Sequence, residues 1–376
     1  MSGCHDSLDV PEEEDVSAET ERTVIIYMAA QNSLGQGNFS KDDLAEMVEG
    51  KASIPANVRV IVYLDDYNLP AIYQLSAKQG LQLWKQYSTD RCSTDSLTML
   101  ETLREIIAAF PAHHYGLTFW SHASGWVLSQ RRNAFGTDPT LTYPFYDKEM
   151  NIPVMAGVLA ELPKMDFLFF DACFMQSIEV AYELRNVTEW MVGSPAEIPG
   201  PGAPYDQIMA SMCQGDAKGI AETYGKAYPL KNSDYIGVLL SCIDCEKLDQ
   251  LAETTGRLLT PHYMNRTEPD TVDFQPYCKK VDTYCYDMRT TMCRLLTTDD
   301  YNAWLGVYNQ AVPLQFYSPG AGWYSDTFSG KRYLKDPSCY GGVSMYVPAK
   351  EFALTFNIDF QTTAWYKACG WDATEW

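Results

Sequence analysis

Two side chains in this sequence have the type and surroundings that nucleophilic chemistry needs: Cys173 in FFDACF and His122 in FWSHASGW. Each follows a short apolar run of the kind that forms a buried strand, so each leaves its strand at the carboxyl end. Open parallel sheets bind ligands beyond those ends, because loops converge there while helices cover the faces. Of the five histidines, His5 lies in the first residues, His113 and His114 precede a strand, and His262 follows a helix; only His122 passes this filter. One crossover helix separates the two strands, and consecutive parallel strands are usually neighbours, so imidazole and thiol are expected in one crevice. A free thiol is only a few per cent thiolate at neutral pH, and a nearby imidazolium or a helix N-terminus activates it. Cys173 is expected to open the helix FMQSIEVAYEL and to gain from both. The N–H groups of Cys173 and Ala123 are the candidates to hold the oxyanion of an acyl transfer. The plain alternative makes Cys173 a small buried hydrophobe and His122 a satisfied polar residue.

The elements that must position these groups alternate along the chain. RTVIIYMAA and NVRVIVYLDD read as buried parallel strands, and KDDLAEMVEG between them as a helix ending at glycine, which makes a βαβ opening. AIYQLSAKQGLQLWKQY has the look of a hairpin turning near Gly80. STDSLTMLETLREIIAAF is a helix that Ser93 or Thr94 can cap and Pro111 ends. YGLTFWS is the next strand, NIPVMAGVLAEL a helix, DFLFFDA a strand, and WMVGSPAE and YIGVLLSC two more. From about residue 245 helices (CEKLDQLAETTGRLL, TTDDYNAWLGVYNQAV) and aromatic loops dominate, with a late strand at GGVSMYVP. The pattern predicts an α/β fold: a mostly parallel central sheet with helices on both faces, plus a C-terminal extension. The boundaries are an acidic tail over 1–22, a core over 23–244, and a helical, aromatic-rich region over 245–376 packed on that core.

Lys and Arg number 28 against 49 Asp and Glu, a net charge of −21 that repels phosphate backbones and excludes nucleic acid as a partner. No run reaches the roughly 18 apolar residues of a spanning helix. The opening MSGCHDSLDVPEEED sets Ser2 and Gly3 before Cys4, like the end of a bacterial lipoprotein signal, and then turns acidic. The expectation is an exported protein, held at the cell surface or in the periplasm through lipid on Cys4 or else secreted; an ordinary frayed terminus is the other reading. Membrane contact is expected only through such an anchor. Eleven cysteines in a chain of this length are too sparse for a disulfide scaffold, and the odd number leaves a free thiol.

SHASGW and FFDACFMQSIEVAYEL together resemble the clostripain family of cysteine peptidases, whose sheet core is similar to those of caspases, gingipains and legumain. TVIIYMAAQNSLG, SPAEIPGPG, GGVSMYVP and TAWYKACGW extend the resemblance over nearly the whole chain after the tail. It implies a caspase-like sandwich, with Cys173 the nucleophile, His122 the general acid and base, and Asp171 in the pocket for a basic substrate side chain. A carboxylate there suits a guanidinium or an ammonium; helix N-capping is the competing role for Asp171. The resemblance further implies protein or peptide substrates cut after Arg or Lys. It implies self-cleavage between histidine and cysteine, at Arg131, Arg132 or Lys148, with the two chains staying associated. No cofactor is needed for the chemistry, and calcium is an optional partner that no EF-hand loop in the sequence identifies. Ala123 departs from the family, which has glycine after the histidine; alanine keeps the N–H but resists positive φ.

Two rival functions follow from other features. CIDC at 242–245 is a C-x-x-C pair without the surrounding thioredoxin pattern, and Cys278, Cys285 and Cys293 lack compact zinc spacing. The second rival keeps the peptidase fold without catalysis, as a surface lipoprotein that binds a protein or peptide. Ala123 and aromatic loops such as YSPGAGWY favour it. Turnover of arginyl and lysyl peptides separates the two.

Overall fold

The computed structural model describes residues 20–126, 135–138, 148–231, 233–264, 268–278, 285–352, 354 and 356–374. Cys4, Arg131 and Arg132 lie outside the described residues, as does the acidic tail up to residue 19.

Strands β1 (Arg22–Ala29), β2 (Val58–Asp65), β3 (Ala71–Ser76), β4 (Gly80–Gln86), β5 (His114–Trp120), β6 (Met165–Asp171), β7 (Thr188–Gly193), β8 (Leu239–Asp244) and β9 (Leu314–Tyr317) build the main sheet. It has nine strands in the order β9-β8-β7-β6-β5-β1-β2-β3-β4. The inner run β7-β6-β5-β1-β2 is parallel, and every pair involving β3, β4, β8 or β9 is antiparallel. The α/β fold expected is present, with the parallel strands at the centre of the sheet and antiparallel strands on both sides. Its antiparallel edges come from the β3–β4 hairpin, which turns at Gly80 with φ +70°, and from the late strands.

Both faces of the sheet are covered, which is why β1 reads as an unbroken apolar run. Ile25 and Tyr27 enter one core with helices α2 (Ser96–Ala109), α3 (Ile152–Ala160) and α4 (Ile178–Leu184). Val24, Ile26 and Met28 enter the other with α1 (Phe39–Glu49), α5 (Tyr205–Gln214) and α6 (Ala217–Ala227). All five side chains are fully buried, and burial contributes about 1.5–3 kcal/mol for each large aliphatic one. A strand buried on both faces has no solvent position for a polar residue.

The C-terminal region does more than pack on the outside. Its β9 is an edge strand of the main sheet, and Trp304, Trp365 and Trp371 lie in the same core as α4. The late strand Ser344–Tyr346 forms, but it pairs with Cys285–Asp287 away from the main sheet. The helix Leu248–Met264 runs through His262, which the sequence placed beyond its end.

The cap of α2 also differs from expectation. Asp95 accepts from the N–H groups of Leu97 and Thr98, while Ser93 and Thr94 turn inward. Ser93 donates its hydroxyl to Asp65 and its N–H to Asp138, and its carbonyl accepts from Tyr27 Oη at 2.8 Å. Two buried carboxyl groups outcompete the helix end for these donors, because unpaired they would be costly. Among the described residues no helix is long and apolar enough to cross a membrane.

Candidate active site

Strands β5 and β6 are paired in parallel, from Gly116 opposite Phe167 to Trp120 opposite Asp171. Gly116 permits this approach, since a Cβ there would stand 2.3 Å from the Phe167 ring. His122 and Cys173 each follow two residues after the last paired position, so both leave the sheet at the same level. They line one cavity of about 1270 Å³ together with Ser33, Asp171 and Glu197.

Cys173 does not open a helix. Helix α4 begins at Ile178, and Ser177 caps it by accepting from Val180 N–H at 3.2 Å. The intervening loop is tied to the next strand's exit instead: Phe174 N–H donates to the Ala196 carbonyl and Gln176 N–H to that of Ser194, both at 3.0 Å. Phe174 takes φ +62° to allow it, a conformation uncommon outside glycine. The expected help from a helix N-terminus is therefore missing. In its place the N–H of Ile198 donates to the sulfur at 3.3 Å.

Burial pushes the Cys173 thiol up to about 12; the Ile198 N–H pulls the other way, and the carboxylates of Glu197, Asp171 and Asp326 add to the rise. Burial also lowers the imidazole of His122 below its ordinary value. Both shifts favour the neutral form of each group. His122 Nε2 lies 2.7 Å from the hydroxyl oxygen of Ser33. The His122 carbonyl accepts from Gly136 N–H at 2.8 Å, and Ala123 bridges to Phe135. Ala123 is not in the left-handed region; positive φ falls two residues later, at Gly125 with +78°. The residue after the histidine thus needs no glycine here.

Asp171 is buried at the cavity wall and does not cap a helix. Its carboxylate accepts from Ala203 N–H at 3.0 Å and from the hydroxyls of Tyr205 and Tyr224, each at 3.2 Å. Burial raises this carboxyl to about 6, and the three donors restrain the rise. Gly202 has φ +65°, and a Cβ on it would come within 2.9 Å of Asp171 Oδ2. Trp120 donates its indole N–H to Asp43 Oδ2 at 2.5 Å, and burial followed by the charge of Asp171 pushes Asp43 up to about 9.

Lys148 begins a short strand, Lys148–Met150, that pairs with Phe135–Asp138, and its neighbour Glu149 lines the cavity. Among the described residues no three His, Cys, Asp or Glu side chains are grouped to hold a metal ion. Cys242 and Cys245 are buried as free thiols, and burial pushes Cys245 up to about 12, which suits packing better than redox exchange.

Sequence reasoning missed most of the cavity lining, including Ser33, Ile198 and Glu197. The carboxyl-end filter, applied to β1 as well as to the histidines, would have flagged Ser33. Ile198 acts through its backbone and leaves no signal in its residue type. Glu197 is held by the Ser325 hydroxyl and by Thr327 N–H at 3.0 Å, from a hairpin more than a hundred residues away in sequence.

The profile of the clostripain family, peptidase C11, matches residues 26–376. No curated protein sequence matches. Among solved structures, the chain is similar to a secreted C11 cysteine protease from Bacteroides thetaiotaomicron in complex with an irreversible peptide inhibitor. The TM-score is 0.81 at 29% identity, over 94% of this chain and 99% of that one. It is also similar to an inactive zymogen C11 protease from Parabacteroides distasonis, with TM-score 0.78 and 27% identity, over 94% and 99% of the two chains. A second secreted C11 protease from B. thetaiotaomicron shares the fold at TM-score 0.77 and 21% identity, over 93% and 99%. With a family match that spans both strand ends and the C-terminal region, this chain belongs to the clostripain family of cysteine peptidases.

Proposed function

We propose that this cysteine peptidase is an endopeptidase that cleaves after arginine or lysine through a Cys173–His122 dyad. The observation that carries the reading is the β5–β6 register, which delivers both groups to one cavity with Asp171 in its wall. His122 takes the thiol proton, the sulfur attacks the scissile carbonyl, and the N–H groups of Cys173 and Ala123 receive the oxyanion. The imidazolium then protonates the departing amine, and water hydrolyses the thioester with His122 as base. Asp171 pairs with the cationic side chain preceding the scissile bond. The peptide inhibitor on the similar B. thetaiotaomicron protease supports a peptide ligand for this cavity.

The shifts of thiol and imidazole toward their neutral forms support a latent intact chain, activated by its own cleavage between His122 and Cys173. Arg131, Arg132 and Lys148 are the candidate sites, and the place of Glu149 in the cavity wall supports Lys148 as one of them. The two chains would stay joined, since β5 and β6 on either side of the cut are paired in the sheet. Export as a lipoprotein on Cys4, or secretion, rests on the Ser2-Gly3-Cys4 sequence; metabolic labelling with a fatty acid, with Cys4→Ala as control, checks it.

The test of the activity is turnover of arginyl and lysyl fluorogenic peptides by wild type and Cys173→Ala, with intact mass measured on both. Turnover and a cut near Lys148 in wild type alone are expected. Turnover that survives Cys173→Ala defeats the dyad, and no turnover even after cleavage and added calcium favours the non-catalytic binding reading.

A further inference from the structure

We infer that Ser33 is a positioning residue for His122: it accepts the Nε2–H and leaves Nδ1 as the nitrogen that exchanges a proton with Cys173. The inference rests on His122 being the general acid and base. Its starting point is the 2.7 Å contact between Ser33 Oγ and His122 Nε2, made on the cavity wall. A general base needs a second group that holds its ring and its tautomer, most often a carboxylate. Among the described residues burial is the cause of the shift in the imidazole. Ser33 is the side-chain partner of the ring among the described residues.

The loop that carries Ser33 is built to hold it still. Asn32 caps the short helix Ser33–Gln36 by accepting from Leu34 N–H at 2.9 Å. The Asn32 amide donates to the Ala29 carbonyl at 2.8 Å and to Ser121 Oγ at 3.2 Å, and Ser121 donates to the same carbonyl at 2.7 Å. Asn32 and Ser121 are buried, and they join the end of β1 to the residue before His122. The backbone that carries the exposed Ser33 and the backbone that carries His122 are thus tied to each other.

A serine oxygen suits both states of the ring. In the neutral imidazole with its proton on Nε2, Ser33 accepts that proton's hydrogen bond and Nδ1 keeps its lone pair. When Nδ1 takes the thiol proton the ring becomes a cation, and the Ser33 bond becomes charge-assisted and stronger. Ser33 therefore favours the imidazolium that the thiolate requires.

The experiment compares wild type, Ser33→Ala, Ser33→Thr and His122→Ala as full-length, self-processed protein, with 15N-histidine spectra of the same samples. Expected for Ser33→Ala is a fall of roughly ten- to hundredfold in kcat, with KM for an arginyl peptide changed by less than about twofold. The basic limb of its kcat/KM profile should move to lower pH, since the imidazolium has lost its acceptor. Ser33→Thr keeps the oxygen and should recover most of kcat. The spectra should show His122 protonated on Nε2 in wild type. An unchanged kcat and pH profile in Ser33→Ala, beside an inactive His122→Ala, overturns the inference and leaves the dyad standing. Protonation on Nδ1 overturns it as well. Full turnover by His122→Ala removes the dyad itself.

Discussion

The backbone N–H of Ile198 donates to the sulfur of Cys173 across 3.3 Å, so the loop after β7 closes over the residue that follows β6. That loop is in turn held by Glu197, whose carboxylate takes donors from Ser325 and Thr327 of the C-terminal hairpin. The sulfur of this half-buried cysteine is thereby kept among dipoles and carboxylates at the cavity wall.

Alkylation of Cys173 by iodoacetamide in the uncut chain should be slow at neutral pH, and the rate should climb with no inflection below pH 8. Glu197→Gln removes one of the carboxylates that raise the thiol and should speed alkylation at pH 8 by roughly three- to tenfold. A rate unchanged by the substitution, followed by peptide mass mapping, would show that Glu197 exerts no field on the sulfur.

Asp171→Asn keeps one oxygen for the Ala203 N–H and the Tyr205 hydroxyl, turns its NH2 toward the Tyr224 hydroxyl, which can accept from it, and removes the charge. The kcat/KM for arginyl and lysyl peptides should fall by about a hundredfold or more, because the cation would be desolvated without a counter-ion. Thiol labelling by a small uncharged reagent should not fall and should quicken somewhat, since Asp171 is one of the carboxylates that raise the thiol. Equal losses in both measurements would mean a misfolded site instead of lost selection.

Asp171 has its carboxyl raised from the ordinary value of 3.8 to about 6 by burial. In the free enzyme it is protonated below that pH and charged above it, so kcat/KM for a basic peptide should rise with pH through about 6. Asp171→Asn should lose this acid limb. A wild-type profile with its acid limb near 4 would assign the rise to another carboxyl or to an unperturbed Asp171.

Gly116→Ala puts a methyl 2.3 Å from the ring of Phe167, in the strand pair that delivers His122 and Cys173. The overpacked sheet should lose about 1–3 kcal/mol of stability, measured by urea denaturation. An unchanged midpoint would mean that the Phe167 ring moves aside freely.

The chain's own residue order is enough to determine the alternation of strands and helices, the buried double-faced strands, and the placement of His122 and Cys173 at carboxyl ends. Those depend on local periodicity and on the few ways in which parallel strands connect. Asp95 in place of Ser93 as helix cap, and Ile178 in place of Cys173 as the start of α4, could not be read this way. Each was decided by a distant group, the carboxyls of Asp65 and Asp138 in one case and the 194–196 backbone in the other. The same holds for Ser33 against His122 and for Ile198 against Cys173. Hydrogen bonds between segments brought together by the sheet depend on three-dimensional proximity, and sequence spacing carries no record of it.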